Sequence, residues 1–257
     1  MKSTILSEND AKLIEKTILK HGRIVRIHDL MEIFTSQYSR ASAHNRINLL
    51  TRAGWFRRIK QGLYLIIDSL TARAQTDVSQ GSIANALMKD SYLSLSYALG
   101  QYQMFDQYST TVASITTKES KKYVFDGIAF TFSKVKKGMY FGFTEQLDHG
   151  KKVRIAEAEK ALIDYLYLDK SFGSASLVFE KIREHHHMLD LNKLQDYAIR
   201  SGITLAREIG FILDALKLDS TKSYKAVQGN RGTSRFMREA KLFNARWRLY
   251  YDDRIIG

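Results

Sequence analysis

Ser39-Arg40-Ala41-Ser42-Ala43-His44-Asn45-Arg46-Ile47-Asn48-Leu49-Leu50-Thr51-Arg52-Ala53-Gly54-Trp55-Phe56-Arg57-Arg58-Ile59-Lys60-Gln61-Gly62-Leu63-Tyr64-Leu65-Ile66-Ile67 is the stretch that decides the fold. Its first half has helical periodicity. Ala43, Ile47 and Leu50 recur on one face, with Leu49 beside them. Arg40, Ser42, His44, Asn45, Asn48 and Arg52 make the other face. Gly54 suits the stop, because glycine accepts the left-handed backbone that ends many helices. Trp55–Ile59 and Leu63–Ile67 are β-rich runs around Lys60-Gln61-Gly62, the pattern of a hairpin.

Two shorter helical segments precede this stretch. Glu8 to Lys20 carries Ala11, Leu13, Ile14, Thr17 and Ile18 at helical spacing, with Ser7 as cap and Gly22 as stop. Ile24–Ile27 reads as extended. His28 to Phe34 reads as a short helix with Leu30, Ile33 and Phe34 inward, and Thr35–Tyr38 as a turn. Helix, helix, polar-faced helix and basic hairpin is the order of a winged helix-turn-helix. Asp68 to Gln80 is polar and suits a connection. This gives a winged helix-turn-helix over residues 1–70, a linker over 71–80 and a larger domain over 81–257.

In that larger domain the helical and β signals alternate. Ile83 to Phe105 reads as helix. Val112–Thr116, Lys122–Phe125, Ile128–Ser133, Met139–Phe143 and Lys152–Ile155 read as strands, with Asp126-Gly127 a strong hairpin signal. Helical periodicity returns over Ala156–Leu168, Ala175–Met188, Leu191–Arg200 and Thr204–Leu218. The expected class is therefore α+β, with a mostly antiparallel sheet and C-terminal helices.

Composition narrows the function. The chain has 257 residues and a formal net charge of +13. A surplus of this size attracts polyanions, of which nucleic acid is the commonest. Acidic membranes and acidic proteins are the other candidates. Residues 1–70 hold twelve basic and six acidic side chains, almost half of the surplus. Without cysteine there are no disulfides, thiolate metal sites or cysteine nucleophiles. Without proline, turns fall to Gly, Asn, Asp and Ser. No apolar run reaches membrane-spanning length, and Met1–Asp10 lacks the apolar centre of a signal peptide, so the expected location is the cytoplasm.

A helix that enters the major groove needs short polar or basic side chains near its N-terminal half. Ser39, Arg40, Ser42, His44, Asn45 and Arg46 fit that role, with Asn45 and Arg46 as the leading pair. Arg57, Arg58 and Lys60 on the hairpin suit phosphate contacts. The alternative is an ordinary solvated face on a module that meets protein. The expected partner is double-stranded DNA, read as inverted half-sites by two copies.

From Gly54 onward four stretches carry a family likeness. They are Gly54–Tyr64, Ser91-Tyr92-Leu93-Ser94-Leu95-Ser96-Tyr97-Ala98-Leu99, Tyr140-Phe141-Gly142-Phe143, and Val153-Arg154-Ile155-Ala156-Glu157-Ala158-Glu159-Lys160-Ala161-Leu162-Ile163-Asp164. Together they resemble the AbiEi family, the antitoxin half of type IV AbiE toxin–antitoxin systems. The likeness covers roughly residues 7–170. Ala158 stands where the family usually has proline. The resemblance implies repression of the chain's own promoter through inverted repeats and neutralisation of a nucleotidyltransferase-like toxin. The setting it implies is phage defence or maintenance of mobile DNA.

Other constellations are weaker. Lys160 and Asp164 are four apart, the spacing of a modest surface pair, and Glu157 and Glu159 sit beside them. No glycine-rich phosphate loop is recognisable, so the expectation is a non-enzymatic protein without cofactor or metal. A toxin-modifying enzyme and a plain regulator without a toxin are the alternatives. His185-His186-His187 splays around a helix, whereas a helical chelate needs i and i+4. The tail holds Arg231, Arg235, Arg238, Lys241, Arg246 and Arg248 against Glu239, interleaved with Phe236, Phe243, Trp247 and Tyr250. Read as a helix, it presents Arg235, Arg238 and Lys241 together. Such a surface would touch DNA, meet an acidic toxin, or simply face water.

Overall fold

Serine side chains cap several of the helix starts. The computed structural model describes residues 6–67, 78–105, 110–148 and 151–256. Ser7, Ser39, Ser79 and Ser171 each accept the backbone N–H three residues on, from Asp10, Ser42, Ser82 and Ser174. Each bond satisfies one of the N–H groups that a helix leaves unpaired at its start. Two units result, and neither is contiguous in sequence. The first holds Met1–Lys89, Tyr123–Ala129 and Leu147–Lys152; the second holds Asp90–Lys122, Phe130–Gln146 and Val153–Gly257. The expected division at residues 70 and 81 is not the division of the packing. The expected linker lies outside the described residues over 71–77, and Ser79 already caps a helix.

The first unit runs α1 (Glu8–His21), β1 (Ile24–Arg26), α2 (Ile27–Phe34), α3 (Arg40–Ala53), β2 (Phe56–Lys60), β3 (Leu63–Ile66) and α4 (Gln80–Leu87). The strands pair antiparallel in the order β1-β3-β2, with Val25 opposite Tyr64 and Arg57 opposite Leu65. Every residue of the central strand β3 is buried. Leu13, Ile14, Leu30, Ile33, Phe34, Ala43, Ile47, Leu50 and Phe56 form one core with the sheet. Phe34 and Phe56 meet edge to face, centroids 6.1 Å apart. Each such large side chain stabilises the fold by about 1.5–3 kcal/mol through burial. Gly54 ends α3 at φ 89°, and its N–H returns to the Leu50 and Thr51 carbonyls.

The second unit contains β4 (Ser91–Leu93), α5 (Leu95–Gln101) and β5 (Thr111–Thr116). It shares β6 (Lys121–Phe125), β7 (Ile128–Lys134), β8 (Phe143–Asp148) and β9 (Lys151–Ala156), whose hairpin ends fall in the first unit. The six-stranded order is β6-β7-β5-β4-β9-β8. β4 lies antiparallel to β5 and parallel to β9, with Leu93 opposite Ile155. Asp126 (φ 54°) and Gly127 (φ 76°) make the β6–β7 turn in the left-handed conformation that a two-residue hairpin requires. Helices follow: α6 (Ala158–Leu168), α7 (Phe172–His185), α8 (Leu191–Ser201), α9 (Ile203–Ala215) and α10 (Thr221–Val227). α9 packs against α8 and α10 and is buried from Leu205 to Leu213. A Cβ on its Gly210 would fall inside the Trp247 indole, which explains a glycine in the middle of a helix.

Three expected elements differ, and one helix has no counterpart among the expectations. Ile83–Phe105 is not one helix, because Ser91–Leu93 pairs with β5 on one side and β9 on the other. Met139–Phe143 is not a strand: a 3-10 turn spans Lys137–Met139, and Gly142 turns the chain at φ 71° before β8. The α10 helix was not apparent from periodicity. The tail contains no helix over 231–250. It forms β10 (Ser234–Arg235), β11 (Leu242–Asn244) and β12 (Leu249–Tyr251), in which β12 pairs parallel with β10 and antiparallel with β11. Clustered aromatic and leucine residues favour the pleated surface there over the helix that charge spacing suggested.

The sharpest correction concerns Lys160 and Asp164. They are no surface pair: both side chains are wholly buried in the second unit and form an ion pair. Asp164 also accepts from Ser94 Oγ at 2.8 Å and Tyr92 Oη at 3.0 Å, and Lys160 Nζ donates to Tyr92 Oη at 2.9 Å. The Tyr92 ring stacks on Phe143 at 4.7 Å and meets Tyr140 at 5.4 Å. A Cβ on Gly142 would lie 3.0 Å from the Lys160 stem. Three of the four stretches that carry the family likeness therefore meet at one cluster. Burial pushes the Asp164 carboxyl up and the Lys160 ammonium down, in each case against the pull of the partner. Ala158 is the first residue of α6, where proline is tolerated and not required.

Removing one partner of a buried pair leaves the other uncompensated. Lys160→Met and Asp164→Leu should each destabilise the chain by about 3–5 kcal/mol, and the double variant by less than the sum. Urea unfolding of the three variants measures this, and strictly additive losses would contradict the pairing.

Candidate nucleic-acid interface

α3 buries one face and exposes the other. Successive helical residues are turned by about 100°. With Ala43, Ile47 and Leu50 inward, the outermost stripe is Asn45, Asn48, Leu49 and Arg52, all exposed. Arg40 and His44 lie to one side of that stripe. With Ile27, His28, Met31, Glu32 and Thr35 they line a groove of about 420 Å³ along α2. Ser39 caps the helix, and its hydroxyl donates to Ser42 Oγ at 3.0 Å. Arg40 and Arg52 enter no ion pair among the described residues, so the exposed face keeps its positive charge. Glu32 beside the groove is held by Lys20, with His21 Nε2 at 3.3 Å.

Arg46 belongs to neither the stripe nor the groove, although the sequence paired it with Asn45. Being one residue on, it points to α1. Its Nε donates to Asp10 Oδ1 at 2.7 Å and one terminal nitrogen donates to Oδ2. Asp10 is fully buried and also accepts from Ser7 Oγ at 2.6 Å. Burial opposes ionisation of Asp10, but the bonds from Arg46 and Ser7 outweigh it and hold the carboxyl below its ordinary range. The bond to Asp10 in turn raises the Arg46 guanidinium against the effect of burial. The fork that would grip a guanine edge is thus already engaged.

The hairpin cations divide similarly. Arg57 pairs with Asp126 and lies over the Phe125 ring at 5.2 Å. Lys60 donates to the Leu87 carbonyl at 2.7 Å and lies 5.3 Å from the Tyr123 ring centroid. Arg58 stays exposed, leaning toward Tyr64 at 5.8 Å. The turn between β2 and β3 is only Gln61-Gly62, so the hairpin projects little beyond its pairing. Of the nine N-terminal candidates, the structure leaves Arg40, Ser42, His44, Asn45 and Arg58 accessible beside Ser39. Asn48 and Arg52 join them on geometry; both were on the polar face in sequence without being assigned a contact.

The tail candidates do not share one surface. Arg235 stacks over Tyr250 at 4.6 Å and donates to the Ala240 carbonyl. Arg238 lines a cavity with Asp169, Lys170 and Glu239, and Lys241 lines another with Glu239, Asp252 and Asp253. Arg231 is exposed. Arg246 and Arg248 line a third cavity with Arg207. The neighbouring acids break up the basic face that charge counting suggested. Glu157 accepts from Tyr197 Oη, and Glu159 accepts from the Asp190 N–H at 2.9 Å and pairs with Lys193 at 3.2 Å. His186 and His187 are exposed beyond the end of α7. Among the described residues no helix is long and apolar enough to cross a membrane.

The fold is similar to that of the RV2827C protein from Mycobacterium tuberculosis, known from its crystal structure. The TM-score is 0.67 at 12% identity, over 96% of this chain and 92% of that one. At that identity the likeness speaks for the fold alone: a mixed α/β chain with C-terminal helices. No protein-family model matches the chain, and no curated protein matches it in sequence.

Arg46→Ala should cost about 3 kcal/mol at neutral pH, the low end for a buried pair because Arg46 is partly exposed. The depressed Asp10 carboxyl contributes stability that is present above its ordinary value and lost as pH falls through its folded one. In the variant that carboxyl gains nothing from being charged, so the difference from wild type should shrink below about pH 4. Denaturant unfolding across pH tests this; unchanged stability would return Arg46 to the base-reading role.

Proposed function

We propose that the chain is a DNA-binding transcriptional autorepressor whose first unit acts as a winged helix-turn-helix. The observation that carries the reading is the outward stripe of α3. Asn45, Asn48 and Arg52 stand exposed, and neither Arg40 nor Arg52 has a carboxylate partner among the described residues. Asn pairs with adenine and Arg with guanine in the major groove, and the exposed Leu49 suits a thymine methyl. Element order and the β1-β3-β2 pairing support the same reading. Arg58 and Arg40 supply phosphate contacts on either flank. Two copies on an inverted repeat give the two-fold arrangement that such operators require.

Footprinting on the chain's own upstream region, with gel-shift titration of the protected site, tests this. Asn45→Ala with Asn48→Ala should erase preference for the protected sequence while sparing non-specific binding. Arg40→Ala and Arg58→Ala should each weaken all duplex binding and reduce the salt slope by about one. Arg57→Ala should move neither. Unaltered binding in the asparagine and arginine variants would defeat the assignment.

The second unit we assign, on the AbiEi resemblance, to neutralising a nucleotidyltransferase-like toxin. The meeting of three motif stretches around Lys160 and Asp164 supports it, because the resemblance then follows a packed centre and not scattered identities. Co-expression with the adjacent open reading frame should silence a toxic product. An intact mass of the silenced toxin indicates neutralisation without chemistry, and a mass increase indicates the enzymatic alternative. A non-toxic neighbour would leave the chain a plain regulator and sink the antitoxin reading.

A further inference from the structure

Arg207 sits in the middle of α9 at 1% exposure, and among the described residues its charge meets no carboxylate. One terminal nitrogen donates to Ser234 Oγ at 3.0 Å. The other donates to Asn230, at 3.0 Å to Oδ1 and 3.2 Å to the backbone oxygen. Its Nε has no acceptor among the described residues. Glu208 is adjacent in sequence but turned away, with both carboxylate oxygens on Lys170 at 2.7 and 2.8 Å. A guanidinium does not shed its proton at any physiological pH, so a buried and unpaired one remains charged. Burying such a charge is costly unless an opposite charge joins it.

The surroundings add positive charge. Arg207 lines a cavity of about 200 Å³ with Gln228, Asn230, Arg246 and Arg248. Arg248 is held at φ 49° with its Nε on the Gly232 carbonyl at 3.0 Å, an uncommon backbone for a residue with a side chain. Arg246 lies over the Tyr224 ring at 4.9 Å and 3.5 Å from Asp214. That carboxylate also accepts from Trp247 Nε1 at 3.1 Å. Of these three guanidinium groups, only Arg246 has a carboxylate within ion-pair distance among the described residues. Burial, and after it the nearby Arg248, press the Arg207 guanidinium downward.

We propose that this cavity is an anion site that takes a single phosphoryl group, with Arg207 at its floor and Arg248 at its mouth. One phosphate oxygen would satisfy the free Arg207 Nε, and the others would take the terminal nitrogens of Arg248. The volume suits one such group, since pockets for drug-sized molecules run from about 300 to 1,000 Å³. The phosphoryl group belongs to a nucleic-acid backbone or to a free phosphate ester. This site lies in the second unit and is separate from α3.

Calorimetric titration of the full chain with inorganic phosphate, at constant ionic strength set by chloride, tests the site. Wild type should bind one equivalent. Arg248→Gln, at an exposed position, should weaken binding by roughly tenfold or more, the loss carried by one charge-assisted bond. Arg207→Gln should abolish it, and Arg207→Lys should restore part of it. Should the Arg207 variants fail to fold, Arg248→Gln alone decides. Adenosine monophosphate and a short blunt duplex are then added as competitors. Displacement by the first assigns a free ester, displacement by the second assigns backbone phosphate, and displacement by neither assigns the free ion. No heat with phosphate beyond that with chloride, or an Arg248→Gln variant that binds like wild type, overturns the proposal.

Discussion

The constraint on the second unit is that the buried Lys160 and Asp164 must stay partnered. Two opposite charges with no access to water remain only because Tyr92 and Ser94 complete their hydrogen bonds. Those partners come from β4 and the residue that follows it, so the pair ties the first turns of α6 to the centre of the sheet. The aromatic rings of Tyr92, Tyr140 and Phe143 close over the cluster. Burial disfavours the charge on both groups, while their contact, and at Asp164 the hydrogen bonds from Ser94 and Tyr92, favour it. Such a centre tolerates few substitutions, because any polar atom left over has nowhere to find water.

The first unit solves a different electrostatic problem. It carries a large positive surplus and must keep some of it exposed while using the rest for folding. Asp10 takes Arg46, Asp126 takes Arg57, and the Leu87 carbonyl takes Lys60. Arg40 and Arg52 on α3, and Arg58 on the hairpin, stay outside these contacts and exposed. The groups that hold the unit together and the groups that face outward alternate along the same short stretch. One-residue steps around a helix or along a strand separate them.

Much of this was legible in the sequence. The limits of α3, its glycine stop and the Ser7 cap of α1 follow from local chemistry. So do the turn at Asp126-Gly127 and the inward face of Ala43, Ile47 and Leu50. The reason is physical: capping, turn geometry and amphipathic periodicity act over three or four residues, and those residues are adjacent in the chain. The polar face of α3 was visible for the same reason.

Tertiary structure alone decided the rest. That Arg46 turns to Asp10, 36 residues away, is not written in either local segment. Nor is the change of Ser91–Leu93 from helix to strand, which depends on β9 more than fifty residues on. Lys160 and Asp164 have the spacing of a solvated pair, and only the sheet beneath them takes them out of water. The absence of a carboxylate beside Arg207 is likewise a fact of packing, because its sequence neighbour is an acid that points elsewhere. Charge and spacing can be counted in a chain, but burial and partnership arise only when distant segments come together.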